Sequence, residues 1–366
     1  MGIAEVRKRI DQIDRELSGL MNSRMELALM AKRLKQSPAK EISGKESDSL
    51  ACGDAERESE VIRNAEASAR GVMPKEFSAR IFREIIEESK RLQEKSNALA
   101  GFQGEHGAYS EMALQKFSKD AIGIPCREFN DVFSRVKGGE LDFGIVPIEN
   151  SIEGHVDQAT DLLMSSGLFI VGEVLMPIHH CLLTLPETDY RDVKAVFSHP
   201  QALGQCRAFL ERNKLEARPY YDTAGAAMML LREKPRATAV IASRLCAEIY
   251  GMEVLKENIE ENDGNTTRFL IIAREMQKEQ GDKCTVTFAL SHKAGALVSI
   301  LRDFSDAGIN LTKIESRPLR NEPNSYGFIM EFLGSGKDEK ILGAMEKAKQ
   351  HTGWIKLLGC YRGAKK

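Results

Sequence analysis

The apolar residues between positions 4 and 35 recur alternately three and four positions apart. They are Ile10, Ile13, Leu17, Leu20, Leu27, Ala31 and Leu34. Side chains at this spacing share one face of an α-helix, and the period is that of a helix packed against another helix. The sequence therefore predicts one long packed helix over residues 4–35.

Two further helices complete an all-helical segment that ends near residue 95. Residues 36–53 interrupt the apolar period with a proline, two glycines and several serines and charges, which is typical of a flexible loop. A second helix is predicted to start at Asp54 and to run to about Ala69. A third is predicted from Phe77 to about Lys95.

The pattern changes at Ala98, where short apolar strands begin to alternate with helices. Strands are predicted at residues 99–102, 143–146, 181–185, 195–197, 239–242 and 269–273. One intervening helix opens at Ser110, and another is predicted at residues 201–212. This alternation predicts an α/β unit.

The last segment follows a charged stretch at residues 274–283 and has a different order of elements. It reads as strand 285–290, helix 297–307, strands 310–314 and 326–333, helix 339–350 and strand 355–361. A βαββαβ order is ferredoxin-like. Because 366 residues exceed one ordinary core, we predict three domains, at residues 1–96, 98–275 and 283–362.

Composition narrows the class of protein. Fifty-two basic and fifty-four acidic residues leave a net charge of −2, which provides no general field for nucleic acid or for an anionic membrane. Seven cysteines, odd in number and without a CxxC pair or zinc spacing, predict reduced thiols. No apolar run approaches the roughly 18 residues of a membrane span, so we predict a cytoplasmic protein without a membrane or nucleic-acid partner.

Charged residues interrupt the packed face of the first helix. Arg24 occupies a position of the apolar period, where a cation needs an anion. Lys35 projects from nearly the same face about 16 Å further along, whereas Arg7 is displaced by about 100° around the helix. In the alternative interpretation Arg24 reaches solvent or pairs with an internal carboxylate such as Glu58.

Two polar pairs on the other helices can face the same space. Asp54 and Glu58 lie four positions apart, as do Ser89 and Gln93. Either pair alone fits a solvated helix face. Their joint occurrence with Arg24 across three helices indicates an anion site.

These residues lie in strings that resemble the all-helical chorismate mutase family. The strings are VRKRIDQID (6–14), SRMELA (23–28), DAERESEV (54–61) and EESKRLQ (87–93). The resemblance implies a set of ligand-contacting residues: Arg7, Arg24, Lys35, Asp54, Glu58, Ser89 and Gln93. The segment between the first two helices is longer than the compact family pattern, which leaves the placement of the second helix open.

The implied reaction converts chorismate to prephenate and needs neither a nucleophile nor a cofactor. The protein must hold a dianion in its reactive conformation and stabilise charge on the ether oxygen. Arg24 suits a carboxylate, whereas Lys35 and Gln93 can donate to the ether oxygen and Glu58 can accept from the ring hydroxyl. Since Arg7 cannot reach the same ligand, we expect a helix-swapped homodimer or a higher homo-oligomer.

A second polar cluster lies at the mouth of an apolar strand. Asn265, Thr266, Thr267, Arg268 and Phe269 place hydroxyls and a guanidinium there, which is a common way to bind a small anion. The alternative is a turn with Arg268 at the surface.

Five strings of the α/β unit, in order, resemble the prephenate dehydratase family. They are GFQGEHGAYSE (101–111), DFGIVPIENSIEG (142–154), FSHPQALGQC (197–206), DTAGAA (222–227) and NTTRF (265–269). The resemblance implies two periplasmic-binding-protein-like α/β lobes with the site in the cleft between them. One departure is Glu261, which stands where the family usually has an aspartate.

The resemblance makes Thr267 the group that assists departure of the ring hydroxyl, largely by positioning. Arg268 either clamps a substrate carboxylate or holds the lobe together. Glu149, Asn150 and Ser151 bind substrate or cap a loop, with His199 and Gln201 as lesser binding candidates. Neighbouring His179 and His180 lack further ligand spacing, so no metal site is predicted.

The carboxy-terminal segment resembles the ACT regulatory domain. The resemblance rests on GALV (295–298) and ESRP (315–318), and it implies an allosteric site made of Gly295, Ala296, Leu297, Val298, Glu315, Ser316, Arg317 and Pro318. A helix amino terminus at Gly295 suits a carboxylate, and Glu315 suits an amino group. Without the upstream dehydratase, a plain helix entry and a surface acid would be the better interpretation.

Together the three resemblances imply a bifunctional enzyme of L-phenylalanine biosynthesis. It would make prephenate from chorismate, convert prephenate to phenylpyruvate without a cofactor, and be inhibited by phenylalanine. One alternative is a dehydratase whose mutase-like segment serves only dimerisation. The other is a phenylalanine sensor without catalysis.

Overall fold

The computed structural model describes residues 2–36, 55–186, 188–276, 281–291, 293–319 and 325–364. Their contacts form two compact units. The first comprises Met1–Leu99 with Gly138–Leu141, and the second comprises Ala100–Lys137 with Asp142–Lys366. No helix within the described ranges is both long enough and apolar enough to cross a membrane.

Within the described residues, three helices make up the first unit. They are α1 Ile3–Gln36, α2 Ala55–Ser68 and α3 Lys75–Glu94. Helix α3 packs against both others, and Leu29, Ala65, Ala79 and Ile86 are buried at these contacts. The predicted packed face of α1 remains largely exposed within the single chain: Ile10, Leu17 and Leu20 expose 51%, 51% and 68% of their surface.

The second unit begins with eleven strands and seven α-helices within the described ranges. The strands are β1 Leu99–Gln103, β2 Ile122–Cys126, β3 Phe143–Asn150, β4 Gly154–His155, β5 Phe169–Pro177, β6 Cys181–Thr184, β7 Ala195–Ser198, β8 Glu216–Pro219, β9 Thr238–Ala242, β10 Glu253–Lys256 and β11 Thr266–Ala273. The helices are α4 Tyr109–Phe117, α5 Phe129–Gly138, α6 Asp157–Ser166, α7 Pro200–Gln205, α8 Arg207–Arg212, α9 Thr223–Glu233 and α10 Arg244–Tyr250.

These strands form two α/β lobes, as the family resemblance implies. One sheet has the order β2-β1-β3-β11-β5, with β4 paired to β3, and the other has the order β10-β6-β9-β7-β8. Strand β11 is therefore central in the first sheet, between β3 and β5, although it comes last in sequence. The helix predicted at 201–212 is divided in two because Cys206, fully buried, adopts φ −110° and ψ 15°.

In the described part of residues 281–364, the unit continues with a four-stranded sheet and two helices. Its elements are β12 Lys283–Ser291, α11 Ala296–Asp306, β13 Leu311–Pro318, β14 Ser325–Leu333, α12 Glu339–Lys349 and β15 Trp354–Tyr361. The strand order β13-β14-β12-β15 is that of a ferredoxin-like fold, as the order of elements predicts. Its core contains Val286, Phe288, Ile300, Phe304 and Phe332. We call this part the C-terminal domain.

Two cysteines of this sheet depart from the expectation of reduced thiols. Cys284 on β12 lies opposite Cys360 on β15, with the Cα atoms 4.2 Å apart, and the two form a disulfide. The sequence pattern does not reveal the pair because 76 positions separate the two residues. Cys126, Cys181, Cys206 and Cys246 are buried and lie outside this disulfide.

Candidate active sites

Strand pairing brings two of the polar strings together in the second unit. In the antiparallel pair of β3 and β11, Thr267 lies opposite Asn150 and Arg268 lies opposite Glu149. The register shifts directly after Arg268, so a bulge ends this polar stretch. Because successive side chains of a strand point to opposite faces, the Thr267–Asn150 pair and the Arg268–Glu149 pair face opposite sides of the sheet.

The hydrogen bonds of Asn150 fix the orientation of its amide. The backbone N–H groups of Ile152 and Glu153 donate to its Oδ1 over 2.9 and 3.1 Å. Its Nδ2 therefore donates, to Asn265 Oδ1 at 2.7 Å and to Thr267 Oγ1 at 2.9 Å. Asn150 and Thr267 are each only 8% exposed.

This geometry determines what the Thr267 hydroxyl can do. Its oxygen accepts from Asn150, so its single proton points elsewhere. Within the described ranges, no acceptor for that proton lies at hydrogen-bonding distance. The proton of the hydroxyl is thus available for donation.

The hydrogen-bond network of Asn150 and Thr267 continues to residues that were not predicted as site residues from the sequence. Asn265 Nδ2 donates to Gln205 Oε1 at 3.0 Å, and His180 Nε2 lies 2.9 Å from the same oxygen. Since that oxygen accepts, His180 carries a proton on Nε2. The Tyr109 hydroxyl lies 2.7 Å from His180 Nδ1 and 2.8 Å from the carbonyl oxygen of His179. Burial lowers the pKa of His180, which favours the neutral ring.

The sequence suggests His180 only as a metal ligand. Gln205 and Tyr109 lie within the family strings, but no local pattern marks them as site residues. His180 and its neighbour His179 are instead braced by protein groups. Glu260 accepts from the backbone N–H of His180 at 2.8 Å, and its other oxygen lies 2.8 Å from His179 Nδ1.

Arg268 has carboxylate partners on all three guanidinium nitrogens. Nε donates to Glu149 at 2.8 Å, Nη1 to Glu173 at 2.9 Å and Nη2 to Glu331 at 2.8 Å. Arg268 is 5% exposed, and although burial opposes its charge, the carboxylates of Glu331 and Glu149 raise its pKa. The structure therefore matches the alternative in which Arg268 holds the protein together.

The other dehydratase candidates have local roles in the structure. Ser151 Oγ accepts from the backbone N–H of Thr266 at 2.9 Å, which ties the end of β3 to the start of β11. His199 is the N-cap of α7, and its Nδ1 accepts from the backbone N–H of Gln201 at 3.3 Å. Both His199 and Gln201 are partly exposed.

Three of the mutase candidates lie along the contact of α1 with α3. Arg24 Nη1 donates to Ser89 Oγ at 2.7 Å, and Gln93 Nε2 donates to the carbonyl of Ala28 at 2.6 Å. Burial lowers the pKa of Arg24. The carboxylate of Glu58, on α2, pairs with Lys90 of α3 at 2.7 Å, a partner that sequence reasoning missed.

The remaining mutase candidates are Arg7, Lys35 and Asp54. Arg7 and Lys35 are exposed on α1. Asp54 and nearly all of the 36–53 segment lie outside the described residues, so the placement of Asp54 stays a prediction.

The allosteric candidates occupy two places in the C-terminal domain. Gly295 is the N-cap of α11 with φ +84°, and Ala296, Leu297 and Val298 form the first turn of that helix. Glu315, Ser316, Arg317 and Pro318 end β13, where burial alternates. Arg317 donates to Asp161 of α6 at 2.9 Å, and Glu315 lies 3.2 Å from Lys313 and from His155.

The fold and these groups define a multidomain enzyme with separate small-molecule sites on its helical unit and its two-lobed unit. Family models agree: chorismate mutase type II matches residues 6–94, and prephenate dehydratase matches residues 100–277. The bifunctional chorismate mutase/prephenate dehydratase of Aquifex aeolicus is 35% identical over 98% of this chain and 97% of its own length. The chain belongs to the bifunctional chorismate mutase/prephenate dehydratase family.

Two solved structures resemble the dehydratase and C-terminal parts. A prephenate dehydratase from Arthrobacter aurescens in complex with L-Phe is 33% identical, with a TM-score of 0.67 over 72% of this chain and 89% of that chain. A protein described as a novel type of quorum quenching acylase is 32% identical, with a TM-score of 0.68 over 73% of this chain and 98% of that chain.

Family membership decides between the interpretations of the sequence. The chain carries both enzymatic activities, the mutase and the dehydratase, and acts on small-molecule substrates. A catalytically silent mutase segment and a sensor without catalysis are therefore set aside.

Proposed function

We propose that Thr267 assists departure of the ring hydroxyl of prephenate by donating a hydrogen bond to it. The reaction releases water and carbon dioxide as the ring becomes aromatic, so the leaving oxygen needs a donor. The observation that supports this role is the amide of Asn150, which donates to Thr267 and leaves the threonine proton directed outwards. The experiment is the Thr267→Ala variant, for which we expect loss of phenylpyruvate formation.

In this proposal the other candidates near Thr267 organise the site. Asn150 and Asn265 orient the hydroxyl, and Gln205 and His180 extend their network across to the second lobe. The carboxylate of Glu149 is ionised, because the neighbouring cations Arg268 and Lys313 outweigh burial and lower its pKa to about 2. Both of its oxygens are engaged by those cations, so Glu149 contributes to the structure of the site.

We also propose that the mutase site lies along α1 and α3 and is completed by a second copy of the chain. Arg24 and Ser89 bind a carboxylate of chorismate, Gln93 and Lys35 donate to the ether oxygen, and Glu58 and Asp54 bind the hydroxyl side. Arg24 and Ser89 are already in contact, which supports a shared ligand. Arg7, exposed near the start of α1, reaches the site of the partner.

The apolar face of α1 supports this helix-swapped dimer. Ile10, Ile13, Leu17, Leu20 and Leu27 each expose at least half of their surface. An apolar stripe of this length marks an interaction surface. A second copy of α1, which carries the same stripe, would cover it.

We expect Leu20→Glu to convert the dimer to a monomer and to lower mutase turnover. A charge buried at the centre of an apolar interface costs several kcal/mol. Light scattering over a range of protein concentrations measures the oligomeric state. Val72→Glu is the matched control, since Val72 is fully exposed in the turn between α2 and α3. A Leu20→Glu protein that remains a dimer would contradict the proposed interface.

We further propose feedback inhibition of this enzyme by phenylalanine bound at the C-terminal domain. The amino terminus of α11 offers backbone amides to a carboxylate, and a related dehydratase was crystallised with L-Phe. Glu315 is proposed to receive the amino group. A cytoplasmic location stays a prediction.

Gly295→Ala is expected to weaken phenylalanine binding about tenfold in calorimetry. Gly295 has a positive φ, which a side chain strains by about 1 kcal/mol or more, and the strain lies at the binding amides. Gly308→Ala is the control because Gly308 has φ +70° just beyond the other end of the same helix. If the unmodified enzyme binds no phenylalanine, or saturating phenylalanine leaves its dehydratase rate unchanged, the regulatory proposal is wrong.

A further inference from the structure

Two cross-strand pairs of opposite charge meet between the dehydratase lobe and the C-terminal domain. Glu149 and Arg268 lie opposite each other on β3 and β11, and Lys313 and Glu331 lie opposite each other on β13 and β14. Lys313 Nζ is 2.8 Å from Glu149 Oε2, and Arg268 Nη2 is 2.8 Å from Glu331 Oε1. We call these four residues the charge quartet.

Three members of the charge quartet are largely removed from water. The side chains of Arg268, Glu331 and Lys313 expose 6%, 3% and 11% of their surface, whereas that of Glu149 exposes 34%. Lys283 adds a third cation, with Nζ 3.0 Å from Glu331 and 2.9 Å from Glu173. Removal of one member leaves an uncompensated buried charge, so the remaining members must rearrange or admit water.

The position of the charge quartet on β3 and β11 connects it to the dehydratase site. Arg268 and Glu149 each directly neighbour a member of the Thr267–Asn150 pair along their strands. One pair of strands therefore carries the proposed hydrogen-bond donor on one face and the contact with the C-terminal domain on the other. A shift of Arg268 changes the backbone that sets the direction of the Thr267 hydroxyl.

We propose that Glu331 of the C-terminal domain is a positioning residue for the dehydration. Through Arg268 it holds the end of β11 where the Thr267 hydroxyl meets the leaving group. The C-terminal domain is then a structural part of the dehydratase site. A rearrangement of that domain would act on Thr267 through Arg268, its neighbour on β11. The inference rests on the proposed role of Thr267.

The test compares Glu331→Gln and Glu331→Asp with the unmodified full-length enzyme. Glu331→Gln should lower the dehydratase kcat about tenfold, because small misplacements of a reacting group are costly. Its KM should stay within about twofold, since Glu331 contacts no substrate. Glu331→Asp keeps the carboxylate and should lose less activity than Glu331→Gln. Mutase turnover on the same chain should be unchanged in both variants.

Two further variants provide a control and an independent test of the charge quartet. Asp161→Asn removes a carboxylate from a different contact between the two domains, that of Arg317, which also pairs with Asp157. It should leave the dehydratase kcat within about twofold. Lys313→Met removes the other contact of the charge quartet between the two domains, the ion pair of Lys313 with Glu149. It should lower kcat with unchanged KM. It also provides a decisive measurement if Glu331→Gln fails to fold.

Several outcomes would overturn the proposal. They are a dehydratase kcat within twofold of the unmodified enzyme in Glu331→Gln and Lys313→Met, an equal loss in Asp161→Asn, and a parallel loss of both activities that tracks the folded fraction. An active Thr267→Ala would refute the role of Thr267 itself. An inactive Thr267→Ala with a fully active Glu331→Gln would refute only the positioning by Glu331.

Discussion

Thr267→Ala should lower the dehydratase kcat about a hundredfold, because a positioned hydrogen-bond donor to a leaving group contributes at least that much. Prephenate binding should be largely retained, since Asn150 and Asn265 keep their mutual hydrogen bond. Mutase turnover should stay unchanged because the mutase site lies on the helical unit. Phenylpyruvate formation and chorismate disappearance, followed on the same protein, measure the two activities.

The neighbouring threonine supplies a matched control for this prediction. The Thr266 hydroxyl donates to the carbonyl of Gly264 at 3.3 Å, so Thr266→Ala removes a hydroxyl of the same type one residue away. We expect it to retain dehydratase turnover within about threefold. Thr267→Ser, which keeps a hydroxyl, should recover most of the rate. A Thr267→Ala enzyme with full dehydratase turnover would remove Thr267 from the mechanism.

Elements with a clear local period could be predicted well from the sequence. The helix expected over residues 4–35 spans Ile3–Gln36, and the strand expected at 285–290 spans Lys283–Ser291. Their apolar residues repeat at 3.6 or 2 positions, and that local repeat indicates the type of element.

Elements stabilised by distant charges could not be predicted in this way. Strand β11 starts at Thr266, three residues before the predicted start, because β3 and β5 bury Thr267 and Arg268 from both sides. Strand β5 was not predicted from the sequence, because Gly172 and Glu173 interrupt its apolar run. The side chain of Glu173 is 5% exposed, and the cations Arg268 and Lys283 compensate its charge.

In the candidate sites too, local features could be predicted from the sequence and long-range contacts could not. The family strings indicated Thr267 and Asn150, and pairing of β3 with β11 brings them into contact. The contacts of His180 with Gln205 and Tyr109 depend on how the two lobes pack, which no local pattern contains. The link from Arg268 to Glu331 likewise spans 63 positions.

Arg24→Ala should lower mutase turnover about a hundredfold to a thousandfold, the usual loss when a preorganised charge is removed from a transition state. Arg24 is the cation that Ser89 orients over 2.7 Å, and chorismate is a dianion that needs such a partner. Dehydratase turnover should not change, because no residue of that site lies on α1. Chorismate disappearance measures the loss.

Arg91→Ala is the matched control for Arg24→Ala, since both delete one arginine from the helical unit. The side chain of Arg91 is 66% exposed and pairs only at the surface with Glu88 and Glu87, so its loss should cost less than about 1 kcal/mol of stability. Mutase turnover should remain near that of the unmodified enzyme in Arg91→Ala. Because Thr267→Ala and Arg24→Ala are each expected to abolish a different activity, the pair separates the two sites on one chain. An Arg24→Ala enzyme with undiminished mutase turnover would show that chorismate is bound elsewhere on the helical unit.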